Sequence, residues 1–216
     1  MNPIFVFGSG AQGRVVKDIL DYNGVDEIYF IDENNGMVGQ RINGSEVVSF
    51  EMAKSMSNDL KISLAVGNPY TRRKIVDSYK DYEIDWINVI HKNAFVANSA
   101  NLGIGNTICA GSIVNSNAEV GNFCLINNGA VIEHDTILKD YCSISPRAVV
   151  GGRCVISENV FIASNATIIA RSNIGKDAIV GMGSIVTRDI DDNQLAFGAP
   201  AVVKRNCSEL DWKKLF

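Results

Sequence analysis

The chain's apolar positions fall into a register of six. Stepping from Val96, the positions read Val96, Leu102, Ile108, Val114, Val120, Ile126, Ile132 and Leu138. They continue Ile144, Val150, Ile156, Ile162, Ile168, Ile174, Val180 and Val186, sixteen branched aliphatic residues in succession. The position four residues after each is small: Ala118, Cys124, Ala130, Thr136, Cys142 and Ala148 are typical. Polar residues and glycine fill the remainder. A strand of alternating residues would repeat every two positions with irregular turns, as in a sandwich, and would not hold a period of six. The pattern predicts instead a short strand and a corner per hexad, three hexads to a coil of 18 residues. The aliphatic side chain then points to the axis of a triangular prism, and successive coils pair as parallel strands about 4.8 Å apart. From 96 to 186 the register runs for five coils without an insertion, so no long loop is expected within it.

The first 88 residues follow other rules. Ile4–Phe7 is an apolar strand leading into Gly8-Ser9-Gly10-Ala11-Gln12-Gly13, then a helix-like stretch from Arg14 to Tyr22, then a second strand from Glu27 to Ile31 ending at Asp32. Glycines at that turn let the main chain approach a diphosphate, the helix N-terminus favours its charge, and an acidic residue about 20 positions on suits a ribose. A third strand, Ile62–Val66, ends at Gly67-Asn68 beside a helix carrying Arg72 and Arg73. The fold class expected is therefore an N-terminal α/β, Rossmann-like mononucleotide-binding domain (1–88) followed by a parallel β-helix of hexapeptide repeats (89–216). Gly8, Gly10, Gly13, Asp32, Gly67 and Asn68 are the candidate nucleotide contacts. Fewer than 90 residues make only half of a dinucleotide fold, which disfavours NAD.

Bulk properties narrow the field. With 46% apolar and 20% charged residues and a net charge of −4, the chain carries no electrostatic footprint for nucleic acid or an anionic membrane. The apolar start lacks a basic region and is broken by Gly8, so no signal peptide is read, and the protein is expected to be cytoplasmic. The five cysteines show no CxxC spacing, and three of them (Cys124, Cys142, Cys154) occupy the small repeat position, as buried reduced thiols would. Only His91 and His134 are present, too few for the histidine-rich zinc site of a metal-dependent β-helix enzyme, and no metal is expected.

Taken together, Val6–Gly13, Ala65–Asn68, the segment 126–135 (INNGAVIEHD) and the segment 181–201 (GMGSIVTRDIDDNQLAFGAPA) resemble the bacterial sugar acetyltransferases. These join a small nucleotide-binding domain to a left-handed β-helix, and include sialic acid O-acetyltransferases and N-acetyltransferases of nucleotide-linked 4-amino-4,6-dideoxy sugars. The resemblance implies a left-handed helix, a homotrimer with active sites between subunits, and acetyl-CoA as co-substrate. It makes His134 the catalytic base and Asp135 its orienting partner, brings Asn127 and Asn128 to the sugar, and sets the Gly152 amide at the acetyl carbonyl. It also lays Gly181 and Gly183 along the pantetheine. Ser143 departs from the pattern, since relatives often carry a second histidine there.

The residues themselves give a compatible reading of His134. Two places after Ile132 it falls at a corner, pointing away from the packed axis, between the acids Glu133 and Asp135, either of which can fix its tautomer. Its task would be to take a proton from an amine or hydroxyl attacking a thioester. Arg188 and Lys204, with Arg205, offer cations to the phosphates of coenzyme A. The expected activity is acetyl-CoA-dependent N-acetylation of a UDP- or dTDP-linked 4-amino-4,6-dideoxy sugar. Sialic acid O-acetylation and a non-catalytic nucleotide-sugar-binding trimer are the alternatives.

Overall fold

The computed structural model describes residues 3–208 and 211–213. Its first part is a six-stranded sheet. β1 (Ile4–Phe7), α1 (Ala11–Tyr22), β2 (Ile28–Ile31), β3 (Arg41–Ile42), β4 (Ser45–Val48), α2 (Phe50–Met56), β5 (Lys61–Leu64), α3 (Pro69–Ser78) and β6 (Asp85–Trp86) follow in chain order. The spatial order is β3-β4-β2-β1-β5-β6, parallel throughout except for the β3–β4 hairpin. β1 lies at the centre, completely buried at Phe5 and Val6, because a strand covered on both faces needs a continuous apolar run. Its neighbours β2 and β5 run out on opposite sides. The turns after β1 and β5 therefore emerge side by side at the carboxyl edge, where ligands enter sheets of this kind.

The second part is a prism of seventeen two-residue strands, from β7 (Val89–Ile90) to β23 (Ile185–Val186). They fall into three parallel sheets whose members are 18 residues apart, such as Leu125–Ile126 against Ser143–Ile144 and Val131–Ile132 against Val149–Val150. The aliphatic side chains fill the axis: Ile126, Ile132, Ile144, Ile156 and Ile162 are completely buried. Each contributes about 1.5–3 kcal/mol of apolar burial. The hairpin β24 (Gln194–Gly198) and β25 (Ala201–Asn206) continues the first face beyond the last coil.

The small repeat position has a second property. Cys124, Cys142 and Cys154 point their thiols at carbonyls fifteen residues ahead, those of Lys139, Ser157 and Ile169, at 3.0–3.2 Å. Asn106 and Thr136 do the same to Gly121 and Gly151. One carbonyl at such a corner turns inward, so a small donor fits better than a pure hydrocarbon. The thiols are free, and burial pushes that of Cys142 well above its ordinary range.

The corners turn by a left-handed residue. Every sixth position from Gly105 to Gly183, fourteen in all, has φ between +55° and +69°. Asn and Asp tolerate this conformation, but Phe123, Tyr141, Arg147, Arg153 and Arg171 adopt it as well, at about 1–2 kcal/mol each. Stacking against the coils on either side outweighs that local cost. Three kinds of corner result. Phe123 and Tyr141 lie between the third and first faces, Asn127 and Asn128 between the first and second, and His134 between the second and third.

The α/β part covers the first of these corners. Phe123 and Tyr141 stack on each other, 5.4 Å between centroids, and belong to the same apolar cluster as Phe5, Phe7 and Leu64. At the other end of the contact, the Asn23 side chain, which follows α1, bonds the Ile90 carbonyl and the Lys92 amide.

Candidate functional site

Two places carry chemistry, one on the first face of the prism and the other at the corner between the second and third faces. The first is a cavity of about 480 Å³ between the α/β part and the first face of the prism. One wall is the pair of glycine turns, with Gly8, Gly10, Asp32 and Gly67. The other is contributed by Leu125, Asn127, Ser143 and Phe161. α1 begins at this cavity with no side chain capping its first turn and no acidic residue within it, so its N–H groups are available to an anion. The Gln12 amide nitrogen is buried without a partner among the described residues, and Gln12 also lines the cavity. Such a donor suits an acceptor brought by a ligand.

Asp32 braces the glycine turn. Its Oδ2 accepts from both the main-chain N–H and the hydroxyl of Ser9, and its Oδ1 accepts from the Asn34 N–H at 3.0 Å. Burial alone would raise its carboxyl, but these hydrogen bonds outweigh it and hold the group below its ordinary value. Gly8, at φ +105°, makes the turn that a side chain would strain. Gly13 does not line the cavity. Its missing side chain lets α1 approach β1, since a Cβ there would fall 1.9 Å from the Gly8 carbonyl oxygen. Asn68 also sits elsewhere: its Oδ1 caps α3 by accepting from the Thr71 N–H, and it lines a separate cavity beside Tyr70 and Trp212. Asn128 stands at the same corner as Asn127 but outside the cavity lining.

The second place is the corner of His134. Its imidazole is 53% exposed, and Nδ1 lies 2.9 Å from Oδ2 of Asp135. With the carboxylate ionised, Nδ1–H donates and the lone pair is left on Nε2. Asp135 occupies the left-handed corner position, φ +58°, and its equivalents one coil away reach it from both sides. Asn117 donates to Oδ1 at 3.3 Å and Arg153 approaches Oδ2 at 3.5 Å. The hydrogen bond from His134, then those from Asn117 and Arg153, hold the Asp135 carboxyl below its ordinary value. Glu133 does not touch the imidazole and instead accepts from Asn115 at 3.0 Å. Opposite Nε2 stands Gly152, eighteen residues on and therefore one coil away. A Cβ there would lie 2.8 Å from Nε2. The imidazole can lie against that rung only because the rung is glycine.

The last coils hold the remaining candidates. Gly181 lies under Phe197, where a Cβ would come within 2.6 Å of the Phe197 Cβ, and Gly183 is an exposed left-handed corner. Arg188 is exposed, and the Lys204 ammonium sits 5.0 Å from the centroid of the Phe197 ring. His91 stacks on Tyr22 at 4.6 Å, bracing the junction of the two parts. Ser9, Gln12 and Phe161 in the cavity, and Arg72 behind it, were not singled out in sequence as site residues. A glycine turn flags its glycines and not the residues between them, and Phe161 falls at an outward prism position that the repeat leaves free.

Comparison with known proteins gives a consistent picture. Residues 3–79 match the family described as the PglD N-terminal domain, and residues 117–152 match the bacterial transferase hexapeptide repeat. Among solved structures, the chain is similar to a perosamine N-acetyltransferase variant from Caulobacter crescentus in complex with CoA and GDP-perosamine. The two share 30% identity, with 95% of this chain and 98% of that one covered, at a TM-score of 0.86. It is similar as well to the acetyltransferase domain of PglB from Neisseria gonorrhoeae in complex with acetyl coenzyme A, at 28% identity, 94% and 99% coverage and a TM-score of 0.88. WeeI from Acinetobacter baumannii aligns at 25% identity over 94% and 99%, with a TM-score of 0.86. A galactoside O-acetyltransferase from Lactococcus lactis is 52% identical over 40 residues, and the chain spans only 19% of its length.

Proposed function

The chain belongs to the nucleotide-sugar acetyltransferases that join a PglD-type N-terminal domain to a hexapeptide-repeat β-helix, and on that premise we propose how its residues divide the work. The protein is an acetyl-CoA-dependent sugar N-acetyltransferase whose acceptor is a nucleoside-diphosphate-linked 4-amino-4,6-dideoxy sugar. Residues 1–88, Rossmann-like in their strand–turn–helix units, hold the nucleotide in the cavity between the glycine turns and the prism. Residues 89–216, a left-handed β-helix, carry the transfer chemistry. The observation that carries the reading is the His134–Asp135 pair, with its free Nε2 facing the space left by Gly152.

In this scheme the neutral amine of the sugar attacks the thioester carbonyl carbon. Nε2 of His134 takes the amine proton as the C–N bond forms, and Asp135 steadies the imidazolium. Main-chain N–H groups near Gly152 receive the oxyanion of the tetrahedral intermediate. Collapse breaks the C–S bond and returns the proton to the departing CoA thiolate. Gly183, an exposed corner, gives the pantetheine arm a flat path, Gly181 serves it only by letting Phe197 pack close, and Arg188 and Lys204 meet the CoA phosphates. Asn127 is the residue of the prism wall offered to the sugar. Because the cavity lies on the first face of the prism and His134 at the corner between the second and third, a complete site draws His134 from a neighbouring copy, which supports a homotrimer.

The nucleotide base is the open part. The family resemblance leads to an expectation of UDP or dTDP, whereas the Caulobacter structure holds a GDP-linked sugar. Acetyl-CoA-dependent thiol release should therefore be measured against GDP-, UDP- and dTDP-linked 4-amino-4,6-dideoxyhexoses, with free sialic acid alongside. Turnover of one amino sugar is the expected result. Turnover of sialic acid alone would replace it with O-acetylation, and silence throughout would leave a binding protein.

A further inference from the structure

α3 carries two consecutive arginines, and the structure treats them oppositely. Arg73 pairs with Glu158 at 3.1 Å and lies over the Tyr141 ring, a half-exposed ion pair across the seam between the two parts. Arg72 is 2% exposed and has no carboxylate partner among the described residues. Its Nη1 donates to the Val66 carbonyl at 3.0 Å and the Gly67 carbonyl at 2.6 Å, and its Nη2 to the Tyr141 carbonyl at 2.9 Å and the Ser143 hydroxyl at 3.0 Å. A buried cation held only by neutral oxygens is costly, and burial pulls its guanidinium down to about 10, which still leaves it charged. Apolar residues would close the seam at lower cost, so the charge has a use beyond packing.

The position of the guanidinium suggests that use. Of the groups it bonds, Val66 and Gly67 belong to the second glycine turn and Ser143 to the opposite wall, and all three line the cavity. Arg72 therefore lies one residue behind the cavity surface and ties both walls together. Since C=O and N–H are antiparallel in a trans peptide, drawing the Val66 and Gly67 carbonyls inward turns the N–H groups of Gly67 and Asn68 away from the guanidinium. We propose that Arg72 is the positioning residue for the diphosphate of the acceptor: without touching it, the guanidinium orients the Gly67 turn and supplies an uncompensated positive charge behind it. This rests on the nucleotide-linked acceptor proposed above.

The test is calorimetric binding of a nucleoside diphosphate and of the corresponding uncharged nucleoside, using the nucleotide the wild-type enzyme accepts, to wild type, Arg72→Met, Arg72→Lys and Arg73→Met. Arg72→Met should lower the diphosphate-to-nucleoside affinity ratio by roughly tenfold or more, as loss of a poorly screened charge requires. Arg72→Lys should keep most of the ratio, and Arg73→Met should leave it unchanged while weakening the seam. Equal loss of both ligands in Arg72→Met, or none, would overturn the proposal and leave Arg72 a structural staple. Should the neutral variant not fold, the lysine variant decides: a ratio retained despite a lower Tm supports the charge, and a ratio lost overturns it. Wild type binding no nucleoside diphosphate of any base would instead remove the acceptor reading itself.

Discussion

The cavity and the His134 corner are built on different principles. The cavity is made by contacts far apart in sequence: the Gly67 turn meets Ser143 through Arg72, and the Phe5 core meets Phe123. Its walls come from both folding units, so its shape depends on how they dock. The corner is made by repetition. Asn117, Asp135 and Arg153 occupy one rung position in three successive coils, and Gly152 stands one coil from His134. The difference is that, under the proposed function, specificity would reside in an assembled interface, which can be altered by docking, and transfer chemistry in a periodic scaffold that a neighbouring coil can adjust without rebuilding the fold. Perturbations should therefore separate, with corner variants moving turnover and cavity variants moving stability and acceptor affinity.

The largest separation should come from His134→Ala, which is expected to lower turnover about 10²–10⁴-fold while circular dichroism and Tm stay as in wild type. A near-normal rate would remove His134 from the mechanism. Gly152→Ala should follow at up to about 10²-fold in kcat, because its methyl group meets Nε2 and forces the imidazole aside. Unchanged kinetics there would mean that Nε2 is not the reacting atom. On the cavity side, Gly13→Ala should destabilise by about 1–3 kcal/mol, visible as a lower urea midpoint and weaker nucleotide binding with acetyl-CoA affinity retained. Loss of both ligands in proportion would show that the two regions are not independent.

Asp135→Asn should cost turnover only about tenfold, since Asp135 orients the imidazole and transfers no proton. An effect equal to that of His134→Ala would give it a larger role. The smallest effect concerns acid stability. Asp32 has a lower carboxyl value folded than unfolded, so its contribution is present above about pH 4 and lost as pH falls through the folded value. The difference in urea midpoint between wild type and Asp32→Asn should shrink as the pH drops below about 4, and a constant difference would argue against titration of Asp32.

The prism was legible because its rule is local. All sixteen aliphatic positions face the axis or its mouth, and those from Ile108 to Val186 are at most 3% exposed. The corner conformation was less legible. Phe123, Tyr141 and Arg153 carry no local preference for positive φ, and the coils above and below impose it. The His134–Asp135 pair is expected from the segment 126–135, whereas Gly152 is named only through the resemblance, and its place beside Nε2, one coil on, emerges from the structure. The seam could not be read from the sequence. Arg72 lies about 70 residues from its prism partners, and an arginine on a short helix looks like a solvated side chain until those partners are known. Asn68 and Gly13 were drawn to the ligand by their motif, whereas one caps a helix and the other lets α1 approach β1.

The unbroken hexad register also acts as an angular scale. Each hexad turns the chain through one third of a revolution, and each eighteen residues climb one strand spacing, about 4.8 Å. Excising one hexad between Phe123 and His134 would swing the histidine onto another edge, out of phase with the Phe123 corner, and would carry Tyr141 away from the α/β unit with it. Excising three would leave its azimuth unchanged and lower it by a single rung. On the reading proposed above, the facing of the His134 edge toward a neighbouring copy is counted out in multiples of eighteen, and the column can be shortened or lengthened only in whole turns without losing that alignment.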